Sequence, residues 1–226
     1  LAKGSSGEHE LQQEYGTGER ASRFYAHQML DHLNERMREF VGRQEMMFVS
    51  TADAGGRCDA SFRAGPPGFI VVLDEQTLAY PEYRGNGVLA SLGNIVENPH
   101  IGLLMIDFFQ DVIGLHVNGR ARVVADAQMR AEHDVPAPDI PGRLPERWVR
   151  VSVEEAYIHC AKHIPRLAKL PRHREWGTDD PKRKGGDFFG VQRALAAEAV
   201  GARVADAAEE QFAQPRDAEA GALGRP

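Results

Sequence analysis

Between residues 20 and 41 the apolar side chains Ala26, Leu30, Leu33, Met37, Phe40 and Val41 recur at steps of three and four, with Asp31, Glu35, Arg36 and Glu39 on the other face. That spacing predicts one amphipathic helix that serves as packing material. His27 and His32 fall on its polar flank and read as solvated surface. From residue 46 the period shortens. Runs at 46–53, 58–63, 69–74 and 77–83 are separated by Gly55-Gly56, Gly65-Pro66-Pro67-Gly68 and Glu75-Gln76. They predict four antiparallel strands in a meander, the first two joined as a hairpin. Helical spacing returns over 88–96 through Val88, Leu89, Leu92, Ile95 and Val96, and stops at Asn98-Pro99. Strands are expected over 100–108 and 114–124, a short helix over 126–134, a proline-dense loop over 135–142 and a further strand over 148–157. Along 115–123 apolar and polar residues alternate strictly, which buries one face and offers the other to water, a cleft or a second subunit.

Many short strands with one small interposed helix describe a mainly β chain with helices (α+β). The expected architecture is a closed or split β-barrel of about six or seven antiparallel strands. The same pattern divides the chain into a flexible N-terminal arm at 1–18, a barrel domain with its N-terminal helix at 19–175, and an extension at 176–226. That extension opens on the basic run Lys182-Arg183-Lys184, continues through an alanine-rich, helix-permissive stretch at 191–208, and is expected to be loosely held over its last fifteen or so residues.

At 226 residues the chain is long enough for one core that buries roughly 70% of the unfolded surface. Its 27 basic and 33 acidic residues give a net charge of −6 and no broad basic field, which argues against a nucleic-acid partner. The basic run lacks interleaved aromatics and reads as a solvated loop. No apolar run nears the ~20 residues of a membrane span. Cys58 and Cys160 stand far apart without a CxxC pair or a signal-like leader, which fits a reducing cytoplasm. His159, Cys160 and His163 fall short of a structural zinc set, so no metal is expected; Cys160 reads as a buried small hydrophobe and Lys162 as an interface or cofactor contact.

Candidate chemistry concentrates in two turns. In the first, Arg63 ends a strand on the same face as Ser61, and Gly65-Pro66-Pro67-Gly68 follows as a rigid turn open to close backbone approach. An arginine there can grip a phosphate through paired hydrogen bonds, or stand as an ordinary surface charge. In the second, Tyr83-Arg84-Gly85-Asn86-Gly87 leads into a helix. Asn86 is the expected N-cap, the amides of residues 87–89 are a candidate anion site, and Ser91 and Asn94 lie on the first turns beyond. Together the two turns suit an anionic, flat ligand.

These segments, with Phe48-Val49-Ser50-Thr51-Ala52-Asp53, Asp74 to Tyr80, Leu92-Gly93-Asn94-Ile95, Glu97-Asn98-Pro99-His100-Ile101-Gly102-Leu103-Leu104 and Val117-Asn118-Gly119-Arg120-Ala121, resemble the pyridoxamine 5'-phosphate oxidase-related flavin-binding proteins over residues 46–124, and more weakly through Cys160-Ala161-Lys162. The resemblance implies a flavin-binding split-barrel homodimer with FMN, or alternatively FAD, deazaflavin (F420) or haem, at two sites on the subunit interface. It implies an oxidoreductase acting on a small organic substrate, with NAD(P)H as a candidate electron source, or a binding protein without turnover. It places Arg63 and Ala64 near the phosphate or ribityl chain and the backbone of Phe69, Ile70 and Val71 along the ring. Tyr83, Arg84, Gly85, Asn86 and Ser91 would close the phosphate end, and His116 and Asn118 would face the neighbouring subunit's cofactor. Two departures stand out: Gly87 and Val88 replace the basic residues many relatives carry after the Gly-Asn pair, and the tryptophan and arginine pattern that holds a vitamin B6 substrate is not evident. No side chain is assigned a catalytic role.

Overall fold

A computed structural model describes residues 3–172 and 174–200. The chain divides into two units, Leu1–Gly177 and Thr178–Pro226. The first is built on one antiparallel sheet of eight strands: β1 (Met29–Leu30), β2 (Met46–Ala52), β3 (Cys58–Ala64), β4 (Val71–Asp74), β5 (Thr77–Tyr83), β6 (His100–Asp107), β7 (Ile113–Ala125) and β8 (Pro145–His159). Their order is β3-β2-β6-β7-β8-β5-β4, with β1 added to β8. Curled around its buried face, this sheet is the expected split barrel. No ladder joins β3 to β4 or β5 among the described residues, so the barrel is open along that side.

The core follows from the period of two. Met47 and Val49 from β2, Leu78 and Tyr80 from β5, Leu103 and Met105 from β6, Leu115 and Val117 from β7 and Val149 and Val151 from β8 all point inward and are buried. The 115–123 alternation holds as far as Arg122, and the register of β7 against β8 shifts at Asn118/Gly119, where β8 carries the extra residue Glu154. Only glycine fits at 119, because a Cβ there would lie 2.0 Å from the Ser152 carbonyl oxygen. A second cluster, Ala79, Val124, Met129, Val135 and Trp148, packs on the other side of β5 and β8.

The helix expected over 20–41 is broken into three pieces: α2 (Gly18–His27), the two-residue strand β1, and α3 (Glu35–Gly42). Met29 and Leu30 pair with Tyr157 and Ala156, and Asn34 starts a new helix by accepting the Met37 amide on its side chain. Apolar spacing survives because Leu33, Phe40 and Val41 still face the core. The stretch read as a flexible arm contains α1 (Ser6–Glu14), whose Ser5 and Glu8 form a reciprocal capping box. His27 is exposed, as expected, whereas His32 is half-buried and pairs with Asp31. Helices α4 (Ala90–Glu97) and α5 (Asp126–Glu132) complete the first unit, and the strand expected to start at residue 69 starts at Val71.

In the second unit, residues 181–189 form turns and 191–200 a helix, α6, whose first amides are accepted by Asp187. The basic run lies in those turns, exposed. The expected loosely held end, and the rest of the 191–208 stretch, lie outside the described residues. Among the described residues no helix is long and apolar enough to cross a membrane.

Candidate functional site

The register of the sheet builds a continuous row on its outer face. Phe62 pairs with Phe48, Phe48 with Leu104, Leu104 with His116 and His116 with Tyr157. Phe48 is 41% and Phe62 52% exposed, and their rings meet edge to face at 5.6 Å. His116 stacks on Tyr157 at 4.7 Å, and its Nε2 lies 2.9 Å from Nδ1 of His159, so one imidazole donates and the other accepts. Burial, and then the neighbouring His159, hold the His116 imidazole below its usual pKa, in the neutral form. One row further, Asn118 donates to Glu155 at 3.1 Å. An aromatic face with the neutral His116 imidazole and an oriented amide suits a flat ring or a second protein surface.

The inward side of β3 is polar where the other strands are apolar. Ser91, buried on α4, donates to Asp59 at 2.8 Å and shares a hydrogen bond of 2.9 Å with Ser61. Arg63 Nε donates to Glu82 at 2.8 Å. The Arg63 and Glu82 side chains are 19% and 13% exposed, and burial pushes the Glu82 carboxyl above its ordinary pKa against the pull of Arg63. Two residues earlier on β5, the Tyr80 hydroxyl is fully buried with no hydrogen-bond partner among the described residues. These links tie β3 to α4 and β5 across the open side of the barrel.

The turn 83–89 departs from its expected form. Asn86 does not cap α4; its side chain accepts the Val88 amide, and the cap position is Leu89, in the left-handed region at φ 56°. The helix's own open amides are therefore those of the first turn after Leu89, and of the amides 87–89 that of Val88 is taken by Asn86. Val88 is spoken for by Asn86 because the short Asn side chain reaches two residues on, a turn-forming contact that competes with a cap. Tyr83 packs edge to face with Trp176 at 5.1 Å, and the Arg143 guanidinium lies 5.4 Å over the Trp176 ring.

Of the residues singled out from sequence, Arg63, Ser91 and the 83–86 turn gather at the open side of the barrel, while His116 and Asn118 stand on the outer face. One chain does not bring the two groups to one surface. Phe69 and Ile70 are buried in the main core and offer only backbone; Val71 and Ala64 are half-buried, and Gly85 is exposed. Cys160, read as buried, is exposed, as is Cys58, and both are free thiols. Among the described residues no three His, Cys, Asp or Glu side chains are placed to hold a metal ion. Sequence reasoning passed over Glu82, Tyr80, Asp59 and Tyr157. Alternation on either side of Gly55-Gly56 marks Phe48 and Phe62 as strand residues, but nothing local contains their pairing or the approach of Glu82 to Arg63.

The sequence model of the pyridoxamine 5'-phosphate oxidase family matches residues 33–160, more than half of the chain. The chain belongs to this family. The match covers β2 to β8 and hence both groups of candidate residues. The chain also resembles solved structures. HupZ of Group A Streptococcus is 17% identical with a TM-score of 0.39, covering 60% of this chain and 98% of its own. HutZ, the haem storage protein of Vibrio cholerae, is 16% identical with a TM-score of 0.36, covering 56% and 94%. An F420 reductase is 17% identical with a TM-score of 0.35, covering 54% and 94%. No curated protein sequence matches the chain.

Proposed function

We propose that this protein is a flavoprotein that holds FMN between two copies of the chain and exchanges electrons with a small organic substrate, drawing on NAD(P)H. The family match over 33–160 carries the reading. The residues present fit such a group in kind. Arg63, Arg84, Asn86, Ser91 and the open amides at the start of α4 supply the donors a phosphate needs. Phe48, Phe62 and Tyr157 offer an aromatic surface to a flat ring, with the Asn118 amide beside it. Division of the candidates between the open side of the barrel and the outer face is what a site shared by two copies requires, and the exposed phenylalanine row is the surface a second copy would cover.

A bound flavin would supply the hydride or electron chemistry. The chain's own part is to orient the ring, exclude water from it, and anchor its phosphate at Arg63. Neutral His116, hydrogen-bonded to His159, can take a proton at one nitrogen while passing another onward. The same imidazole pair favours a second reading, a haem- or deazaflavin-holding protein without turnover, since a neutral imidazole is a good iron ligand. Absorption spectra after loading with FMN and removal of the excess decide between them. Retained flavin bands, with NADH oxidation above the free-flavin rate, are expected. A protein that emerges colourless from FMN but retains haem would overturn the first reading in favour of the second.

A further inference from the structure

We propose that Glu82 competes with a ligand's phosphate for Arg63, and that Tyr80 is the standby donor that takes over Glu82 when Arg63 turns away. The inference rests on the flavin reading above and concerns how the site weighs the phosphate. Glu82 already occupies an anion position on the guanidinium, with Nε 2.8 Å from its oxygen, and a second guanidinium nitrogen is held at 3.2 Å by the Phe62 carbonyl. A phosphate therefore finds two of the three guanidinium nitrogens already engaged. Turning Arg63 toward a ligand strands a carboxylate that is largely out of water, which is costly unless a new donor meets it.

Tyr80 is placed to be that donor. It lies two residues from Glu82 on β5, so both side chains leave the same face of the strand. Both the Glu82 and Arg63 charges act on its phenol. A buried hydroxyl without a partner is a standing cost, and native structures seldom keep one without a use. The elevated pKa of Glu82 works in the same direction, because a proton also relieves the stranded carboxylate. In this arrangement Glu82 sets how much the phosphate contributes, and thus how far FMN is preferred over riboflavin, which has the same ring and no phosphate.

Fluorescence titrations of the full chain with FMN and with riboflavin test this. Glu82→Gln removes the competing charge and is expected to tighten FMN about tenfold, the effect of one unit charge near a phosphate at a half-buried site, while riboflavin stays within about twofold. Tyr80→Phe is expected to weaken FMN about fivefold with riboflavin unchanged, and to leave the free protein's Tm equal or higher because the orphaned hydroxyl is gone. Should the Gln variant not fold, Glu82→Met keeps the volume and carries the same expectation. An unchanged FMN-to-riboflavin ratio in the variants, with wild type binding FMN, overturns the role of Glu82 and Tyr80 alone. Failure of wild type to bind either flavin overturns the flavin reading and this inference with it.

Discussion

Phe62→Ala separates the two tasks of the outer face. The ring is 52% exposed and touches Phe48 rather than the core, so its loss leaves the monomer's interior intact. A phenylalanine side chain presents roughly 200 Å² when fully accessible, so about 100 Å² remains for a second copy to cover. At ~25 cal/mol per Å² that is about 2.5 kcal/mol per ring. A two-fold interface counts each ring twice, giving about 5 kcal/mol at full coverage, and ordering costs with the residual alanine methyl lower the observable change to ~2–4 kcal/mol. The dimer dissociation constant should therefore rise between roughly 30- and 1000-fold. Sedimentation equilibrium over a dilution series reads this directly, and a far-UV melt of the variant should match wild type within a few degrees. Phe188→Ala is the control: that ring is 83% exposed but belongs to the second unit and not to the row. An unchanged constant for Phe62→Ala, or a wild-type chain that stays monomeric at high concentration, would refute the assignment of this face to a second copy.

Gly65→Ala should be the more damaging of the two alanine substitutions in the Gly-Pro-Pro-Gly turn. A Cβ at Gly65 would lie 2.3 Å from the Phe69 Cβ, and Phe69 is fixed in the core, so overpacking of about 2–3 kcal/mol should lower Tm by roughly 5–10 °C. Gly68→Ala has open space but a φ of 86°, and should cost about 1–2 kcal/mol; equal Tm losses would contradict the packing argument. His116 titrates below its ordinary value of 6.5 when folded, so the unfolded chain binds the proton more readily. Its contribution is complete above about pH 6.5 and is lost as pH falls through that value toward the folded pKa. Chemical denaturation from pH 7.5 to 5 should show stability declining on the acid side, and His116→Gln should flatten that decline; an equal slope in the variant would count against it.

How much of this was legible beforehand depends on the range of the interaction. Strands β2, β3, β5, β6 and β7 declare themselves because alternation and turn residues are local, but the register does not: a two-residue turn at Gly55-Gly56 would set Phe48 opposite Arg63, whereas the loop closed from Asp53 to Arg57 sets it opposite Phe62. The 20–41 helix failed for a complementary reason: apolar spacing marks which residues face the core, but Met29 and Leu30 satisfy their backbone groups on β8, more than a hundred residues away. Asn86 was misread because an asparagine before a helix serves equally as a cap or as a turn that closes on residue i+2, and only the backbone at Leu89 decides.

The candidate site shows the same division. The types of its residues, an arginine at a strand end, glycine turns, a serine on the next helix and a histidine on an alternating strand, are properties of the sequence, and with the family match they point to an anionic flat ligand at a barrel. Which of those groups are already engaged is decided by the curl of the sheet. Bringing the open edge of β3 beside β5 sets Glu82 against Arg63 and leaves the Tyr80 hydroxyl without a partner, and carrying β8 beside β7 places His159 on His116. Local propensity acts over a few residues, whereas burial and charge pairing act wherever the chain returns on itself, so the sequence determines the inventory of donors and rings and the tertiary structure decides which of them are already paired.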